Sequence, residues 1–187
     1  MEIKEKKLEG VYEITLKPII DNRGFFMRTF DFDAFNQKGL NKIWVQENHS
    51  RSTQKGIVRG LHFQLPPYTE TKLVRCIKGS ILDVFVDLRK DSSTFGKWDS
   101  IELSDENKKM VFIPRGFAHG FCTLTDESEV LYKVDNYYSK ENERGLMWND
   151  PEIGIEWPVE KPILSDKDKE NIKLVEFVEG YGGLEVE

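Results

Sequence analysis

Short runs of β-branched and aromatic residues, each broken by a turn signal before it could fill out a helix, recur along this chain of 187 residues. They fall at 11–16, 43–46, 73–77, 81–88, 110–113 and 130–137, the pattern of a mostly β protein. In the run ILDVFVDL at 81–88, Leu82, Val84 and Val86 share one strand face, and Ile81, Asp83, Phe85 and Asp87 share the other, because side chains alternate along a strand. Apolar residues on both faces predict a strand packed between layers. Turn signals at Lys78-Gly79-Ser80, Ser92-Ser93-Thr94 and Asp126-Glu127-Ser128 come at intervals suited to a sandwich or barrel. Helix is scarce: one short element is expected at 31–37, capped by Asp31 or Asp33, and another at 166–174, capped by Ser165. The Gly-rich, acidic ending EGYGGLEVE at 179–187 predicts a loose or edge-paired tail. No shift in composition marks a linker, so one domain over 1–187 is expected.

The formal net charge of -6 argues against a general nucleic-acid binder, which needs a basic face for phosphates. It leaves room for a small phosphorylated ligand, because a few converging arginines and lysines can hold a diphosphate inside an acidic molecule. Charges interrupt every apolar run before it could span a bilayer, and the first residues lack a signal-peptide pattern, so a cytoplasmic protein without membrane contact is expected. Cys76 and Cys122 sit in apolar, strand-like surroundings and read as buried thiols.

Two segments carry the chemistry. VRGLHFQLPPYTETK at 58–72 and IPRGFAHGF at 113–121 contain two of the three histidines, His62 and His119. Many jelly-roll barrels of the cupin class combine a motif of paired histidines and a glutamate with a second of the form P-x-G-x-x-H. The second is present as Pro114, Gly116 and His119, but in the first Gln64 stands where another ligand histidine would follow His62. A catalytic divalent metal generally takes three good nitrogen or carboxylate ligands, so the missing histidine weakens the case for a metal. A pocket with His62, His119, Lys72 and arginines suits binding an anion and moving a proton.

The ordered motifs DNRGFFMRTF (21–30), QENHS (46–50), GIVRGLHFQLPP (56–67), KLVRCIKGSILDVFVDLRKDSSTFGKW (72–98), IPRGFAHGF, LYKVDNYYS (131–139), WNDPEIGIEWP (148–158) and ILSDKD (163–168) resemble the dTDP-4-dehydrorhamnose 3,5-epimerase family. The resemblance runs from about residue 10 to 168. It implies an all-β, cupin-like jelly-roll sandwich or barrel with a few short peripheral helices. It also implies a dTDP-linked 4-keto-6-deoxyhexose substrate and a homodimer in which an N-terminal segment crosses to the partner barrel. The hydrogens at C3 and C5 of such a sugar are both alpha to the C4 carbonyl, so a base can remove them if the enolate is stabilised, and the resemblance therefore implies no metal or other cofactor.

By resemblance, His62 is the proton acceptor, Asp168 orients it, Tyr132 is the acid on the opposite face and Lys72 stabilises charge on the C4 oxygen. An electrostatic donor of that type is worth ~2.7–4 kcal/mol. Imidazole, with an unperturbed pKa of about 6.5, is a competent base near neutrality, and phenol, at about 10, is a competent acid. The binding residues implied are Arg23, Gln46, Asn48, Arg59, Lys72, His119, Glu143 and Lys167, with Phe26 as a stacking or wall contact and Arg28 beside the nucleotide. Arginine and lysine suit the diphosphate, whereas Gln46 and Asn48 suit hydroxyls or the base. Arg23, Phe26 and Arg28 belong to the segment expected to serve the neighbouring subunit.

Blander readings stand beside these. A histidine on an apolar strand is commonly a satisfied core residue, and His119 suits a ligand contact or a structural hydrogen bond. Asp168 lies three residues after Ser165, the spacing of a capping box, so cap and dyad member are both open to it. Tyr132 also suits ordinary strand packing, with Tyr138 as a second candidate acid. Three positions depart from the family pattern: Arg28 stands where a glutamate is common, and Glu70 and Thr71 replace a common Gln-Gly pair.

Overall fold

The computed structural model describes residues 1–186. Thirteen strands and three short helices follow in the order β1 (Glu2–Glu5), β2 (Tyr12–Thr15), β3 (Ile19–Asp21), β4 (Gly24–Phe26), α1 (Phe32–Asn36), β5 (Gln46–Ser52), β6 (Val58–Gln64), β7 (Lys72–Lys78), β8 (Ser80–Asp87), β9 (Trp98–Ser104), β10 (Lys109–Ile113), β11 (Phe117–Thr123), β12 (Ser128–Val134), β13 (Glu143–Gly145), α2 (Asp166–Lys169) and α3 (Leu174–Tyr181). The strands form a six-stranded sheet, β1-β2-β10-β7-β12-β5, a five-stranded sheet, β13-β6-β11-β8-β9, and the separate hairpin β3-β4. Every strand pairing in the three sheets is antiparallel, and neighbours distant in sequence pair, as a jelly roll requires.

The two large sheets bury side chains on both faces. Between them lie Val74, Cys76, Val111, Ile113 and Val130 of one sheet and Ile81, Phe85, Ile101, Phe117 and Phe121 of the other. Behind the five-stranded sheet, Leu61, Phe63, Val84, Val86 and Ala118 pack under Leu174 and Phe177 of α3, Leu146 and Leu184. Behind the six-stranded sheet, Ile14, Leu73, Met110 and Phe112 pack with Phe35 of α1 and Leu40. The expected two-faced burial of 81–88 is therefore present, and its alternation assigns Ile81 and Phe85 to the inner layer and Val84 and Val86 to the outer.

Several expectations are corrected. The run at 43–46 forms no strand up to Gln46; Ile43 is exposed, and the polar segment from Gln46 to Ser52 pairs instead with β12. β12 ends at Val134 rather than 137, because Asn136 turns its side chain to the carbonyls of Pro67 and Thr69. The helix capped by Ser165 stops at Lys169, since Ile172 pairs with Leu146, and a second helix, α3, follows. The first helix is capped by Asp31, which accepts from the Ala34 N–H. The C-terminal segment is edge-paired as well as helical: Leu184 bridges Arg89 and is buried. Glu187 lies outside the described residues. Both thiols are buried, and burial pushes Cys76 and Cys122 up to about 11.

Candidate active site

The polar end of the space between the sheets is built by strand alternation with one deliberate break. Leu61 and Phe63 face the outer layer, so His62 and Gln64 point inward. Arg59, three residues before His62, would then face outward in a regular strand. The pairing of β6 with β11 shifts between His119 opposite His62 and Phe121 opposite Arg59, which leaves one extra residue in β6. This bulge puts Arg59 and His62 on one cavity, as bulges do when they re-aim side chains. Gly60 makes it possible, with φ of 122° and a backbone so close that a Cβ would lie 2.6 Å from the Gly120 Cα.

The larger lobe of this space, about 420 Å³, is lined by Arg59, His62, Lys72, His119, Tyr132, Lys167 and Asp168, with Ser50 and Ser165 among the rest. A smaller lobe of about 160 Å³ adds Gln46, Asn48, Gln64, Glu70, Tyr138 and Glu143. His62, Lys72 and Tyr132 line both, so the four expected catalytic residues meet in one place. Lys72 reaches it from β7, where it shares a face with the core residues Val74 and Cys76, and Tyr132 from β12, opposite Asn48 of β5. This arrangement leaves Gln46, Asn48 and Ser50 on the inward face of β5, which explains why that strand is polar.

His62 and Asp168 form a dyad, with Nε2 and Oδ1 2.5 Å apart. Asp168 is 4% exposed. Burial raises its carboxyl, but the His62 hydrogen bond and charge, the Ser165 hydroxyl and the Gly60 backbone together hold it below the ordinary carboxylate value. The capping question resolves in favour of the dyad: the Asp168 backbone N–H donates to Ser165 Oγ, while its side chain turns to His62. Nδ1 of His62 makes no protein hydrogen bond among the described residues.

The remaining polar groups are ordered around this centre. Glu143 is pushed up by burial, yet Lys167, 2.5 Å away, and the Tyr138 hydroxyl, which donates to it at 2.7 Å, keep it below its usual range. The same hydrogen bond raises Tyr138. Gln46 accepts from the Tyr138 backbone N–H at 2.8 Å. His119 lies within β11 rather than in a turn, and its Nε2 is 2.8 Å from Oδ2 of the fully buried Asp83. Arg59 donates to Ser52 Oγ and to the Arg51 carbonyl. Gln64, at the place of the missing histidine, uses its whole amide: Nε2 faces the carbonyls of Tyr68 and Tyr137 and the Glu70 carboxylate, and Oε1 accepts from the Ser139 N–H.

The dTDP-4-dehydrorhamnose 3,5-epimerase family model matches residues 5–176. The chain belongs to this family. It is 51% identical over 177 residues to the dTDP-4-dehydrorhamnose 3,5-epimerase of Shigella flexneri, covering 94% of this chain and 97% of that protein. It is 44% identical over 180 residues to that of Escherichia coli K12, covering 95% and 97%. A solved dTDP-6-deoxy-D-glucose-3,5-epimerase from Legionella pneumophila, in complex with dTDP-4-keto-L-rhamnose, superposes with a TM-score of 0.92 at 38% identity, covering 100% of this chain and 98% of that one.

Within the epimerase family pattern, three expected binding residues do not reach the cavity of their own chain. Arg23 pairs with Asp21 across the exposed β3-β4 turn, Phe26 is 67% exposed on β4, and Arg28 pairs with Asp31. Ile19, Ile20 and Phe25 make the same hairpin an exposed apolar arm. Sequence reasoning did not single out Ser50, Ser165 or Gln64 as cavity groups with a binding or ordering role. The inward alternation of β5 and the capping position of Ser165 were the signals for the first two, and the complete use of the Gln64 amide is visible only in three dimensions.

Proposed function

We propose that this chain epimerises dTDP-4-dehydro-6-deoxy-D-glucose at C3 and C5, giving dTDP-4-dehydro-L-rhamnose for dTDP-L-rhamnose and surface polysaccharide synthesis. The observation that carries the proposal is the His62–Asp168 dyad sharing one cavity with Lys72 and Tyr132. A binding module needs neither a base held by a carboxylate nor a phenol beside it.

In this reaction Asp168 holds the proton of His62 on Nε2, which leaves Nδ1 to take the hydrogen alpha to the C4 ketone. Lys72, 7% exposed, offers its ammonium to the C4 oxygen as the enolate forms, where low exposure strengthens the attraction. Tyr132 returns a proton from the other face, completing the inversion. Arg59, His119 and Lys167 take the diphosphate, and Gln46, Asn48 and Glu143 take hydroxyl or base groups. Lys167 exchanges part of its Glu143 pairing for phosphate on binding.

The remaining parts of the reading follow. The chain acts as one domain over 1–187 in the cytoplasm, as a homodimer that exchanges its N-terminal segment. Arg23, Phe26 and Arg28 of the exposed arm complete the partner's nucleotide site, which accounts for their distance from their own cavity. Among the described residues no helix is long and apolar enough to cross a membrane. His62→Ala tests the assignment: exchange of substrate hydrogens with solvent should vanish while dTDP affinity stays within threefold of wild type. Persistent exchange would remove His62 from the base role.

A further inference from the structure

We propose that Glu70 recognises the hydroxyl next to the reacting carbonyl and so is a specificity-determining residue; the inference rests on the epimerase reading above. Glu70 precedes β7 and faces the smaller lobe of the cavity. Two donors converge on its carboxylate. Lys72 Nζ lies 3.3 Å from Oε1, and Gln64 Nε2 donates to Oε2 at 3.0 Å. Glu70 is the one acidic side chain within ion-pair distance of Lys72 among the described residues.

Gln64 cannot turn to offer an oxygen instead, because its Oε1 takes the Ser139 N–H at 2.6 Å and its Nε2 also faces the Tyr68 carbonyl at 2.9 Å. Both neighbours of Glu70 are therefore fixed donors, which calls for an acceptor at each oxygen. A carboxylate meets that demand and retains spare lone pairs.

The chemistry of the substrate says what the spare lone pairs face. With the C4 ketone on Lys72, the neighbouring carbons are C3, which bears a hydroxyl, and C5, which bears the methyl group and the ring oxygen. Only the C3 hydroxyl is a donor adjacent to C4. A carboxylate beside the ammonium meets that hydroxyl, and a sugar lacking it leaves the carboxylate's lone pairs without their donor. Sites built around a substrate hydroxyl reject the analogue without it far more strongly than apolar pockets reject a missing methylene.

The test compares wild type and Glu70→Ala on two substrates: dTDP-4-keto-6-deoxyglucose and its 3-deoxy analogue. Deuterium entry at C5, a position present in both sugars, gives kcat/KM. Glu70→Ala, which removes the acceptor, is expected to lose about 10- to 100-fold more on the hydroxylated sugar than on the 3-deoxy sugar, the size of one hydrogen bond to a charged acceptor; any effect through Lys72 falls on both sugars alike. The ratio between substrates then collapses by at least about tenfold. A residue that merely holds Lys72 in place would lower both substrates in parallel, and that result, or an unchanged ratio, overturns the proposal. If Glu70→Ala does not fold by its melting transition, Glu70→Asp, which withdraws the carboxylate by one methylene, is read the same way. Failure of wild type to exchange the hydroxylated sugar at all would refute the epimerase reading itself, separately from the role of Glu70.

Discussion

Replacing Asp168 by asparagine removes the negative charge from the dyad while keeping its shape. The Asp168 side chain is 4% exposed and its Oδ1 lies 2.5 Å from His62 Nε2, so water cannot take over the contact. A hydrogen bond to a charged group contributes ~1.5–3 kcal/mol and a neutral one ~0.5–1.5. Once His62 becomes an imidazolium, the variant therefore loses about 1–2 kcal/mol of support, or about 5- to 30-fold in kcat. A second loss adds to it if the amide presents its N–H to Nε2. That choice moves the imidazole proton to Nδ1, the nitrogen needed as base, and where an amide imposes the wrong tautomer in this way the penalty reaches about 10⁴-fold. The fall in kcat should be at least about fivefold, with dTDP affinity within threefold of wild type. Solvent-deuterium exchange followed by NMR gives the rate, and titration with dTDP gives the affinity. A kcat within threefold of wild type would refute the role of the dyad, and a matching loss of dTDP affinity would make Asp168 a ligand residue instead.

Three further outcomes are expected. Tyr132→Phe should slow formation of the inverted sugar at least tenfold more than it slows washout of substrate hydrogens, measured in the same NMR experiment; equal slowing would remove Tyr132 from the acid role. Gly60→Ala meets backbone at 2.6 Å in a φ of 122° and should destabilise the fold by more than about 1 kcal/mol, read as a lowered denaturant midpoint, with activity lost because the bulge sets both Arg59 and His62. Asp87, Glu143 and Asp168 all sit below their ordinary values of 3.8, 4.5 and 3.8 when folded. A carboxyl depressed on folding contributes stability above its unfolded pKa and loses it as pH falls through its folded one, so the denaturant midpoint should hold from pH 7 to 5 and drop below about pH 4. A midpoint that rises between pH 5 and 3 would contradict this.

How much of the molecule was legible in the sequence depended on whether a position obeyed strand alternation. The run at 81–88 displayed its two-faced burial because apolar residues occupy both faces, and both sheets do have layers behind them. β5 was harder: QENHSRS is a strand whose inward face lines a polar cavity, so it has no hydrophobic period to read, and the apolar run just before it drew the strand three residues too early. α3 was hidden because the cap and charges at 165–170 looked like the start of one longer helix, whereas Asn171 and Ile172 break it to pair with the segment around Gly145 and Leu146. His62 and Lys72 were singled out by their own motif, whereas Tyr132 and Asp168 were named only through the resemblance of their motifs to a known family. No local pattern links Asp168 to a histidine 106 positions away. Arg59 and His62 have the wrong spacing to share a face, and only the bulge at Gly60 reconciles them. The convergence of Gln64 and Lys72 on Glu70 likewise belongs to the packed barrel, since the distant Ser139 N–H fixes which end of the Gln64 amide faces Glu70.

The most direct test of the proposed reaction is proton NMR of dTDP-4-dehydro-6-deoxyglucose with the wild-type protein in D2O, coupled to a reductase that accepts only the L-configured product. The expected result is deuterium at both C3 and C5 together with trapped L-sugar. Deuterium at C3 alone would make the chain a single-carbon epimerase, and binding without exchange at either carbon would contradict catalysis by His62, Lys72 and Tyr132 on this substrate.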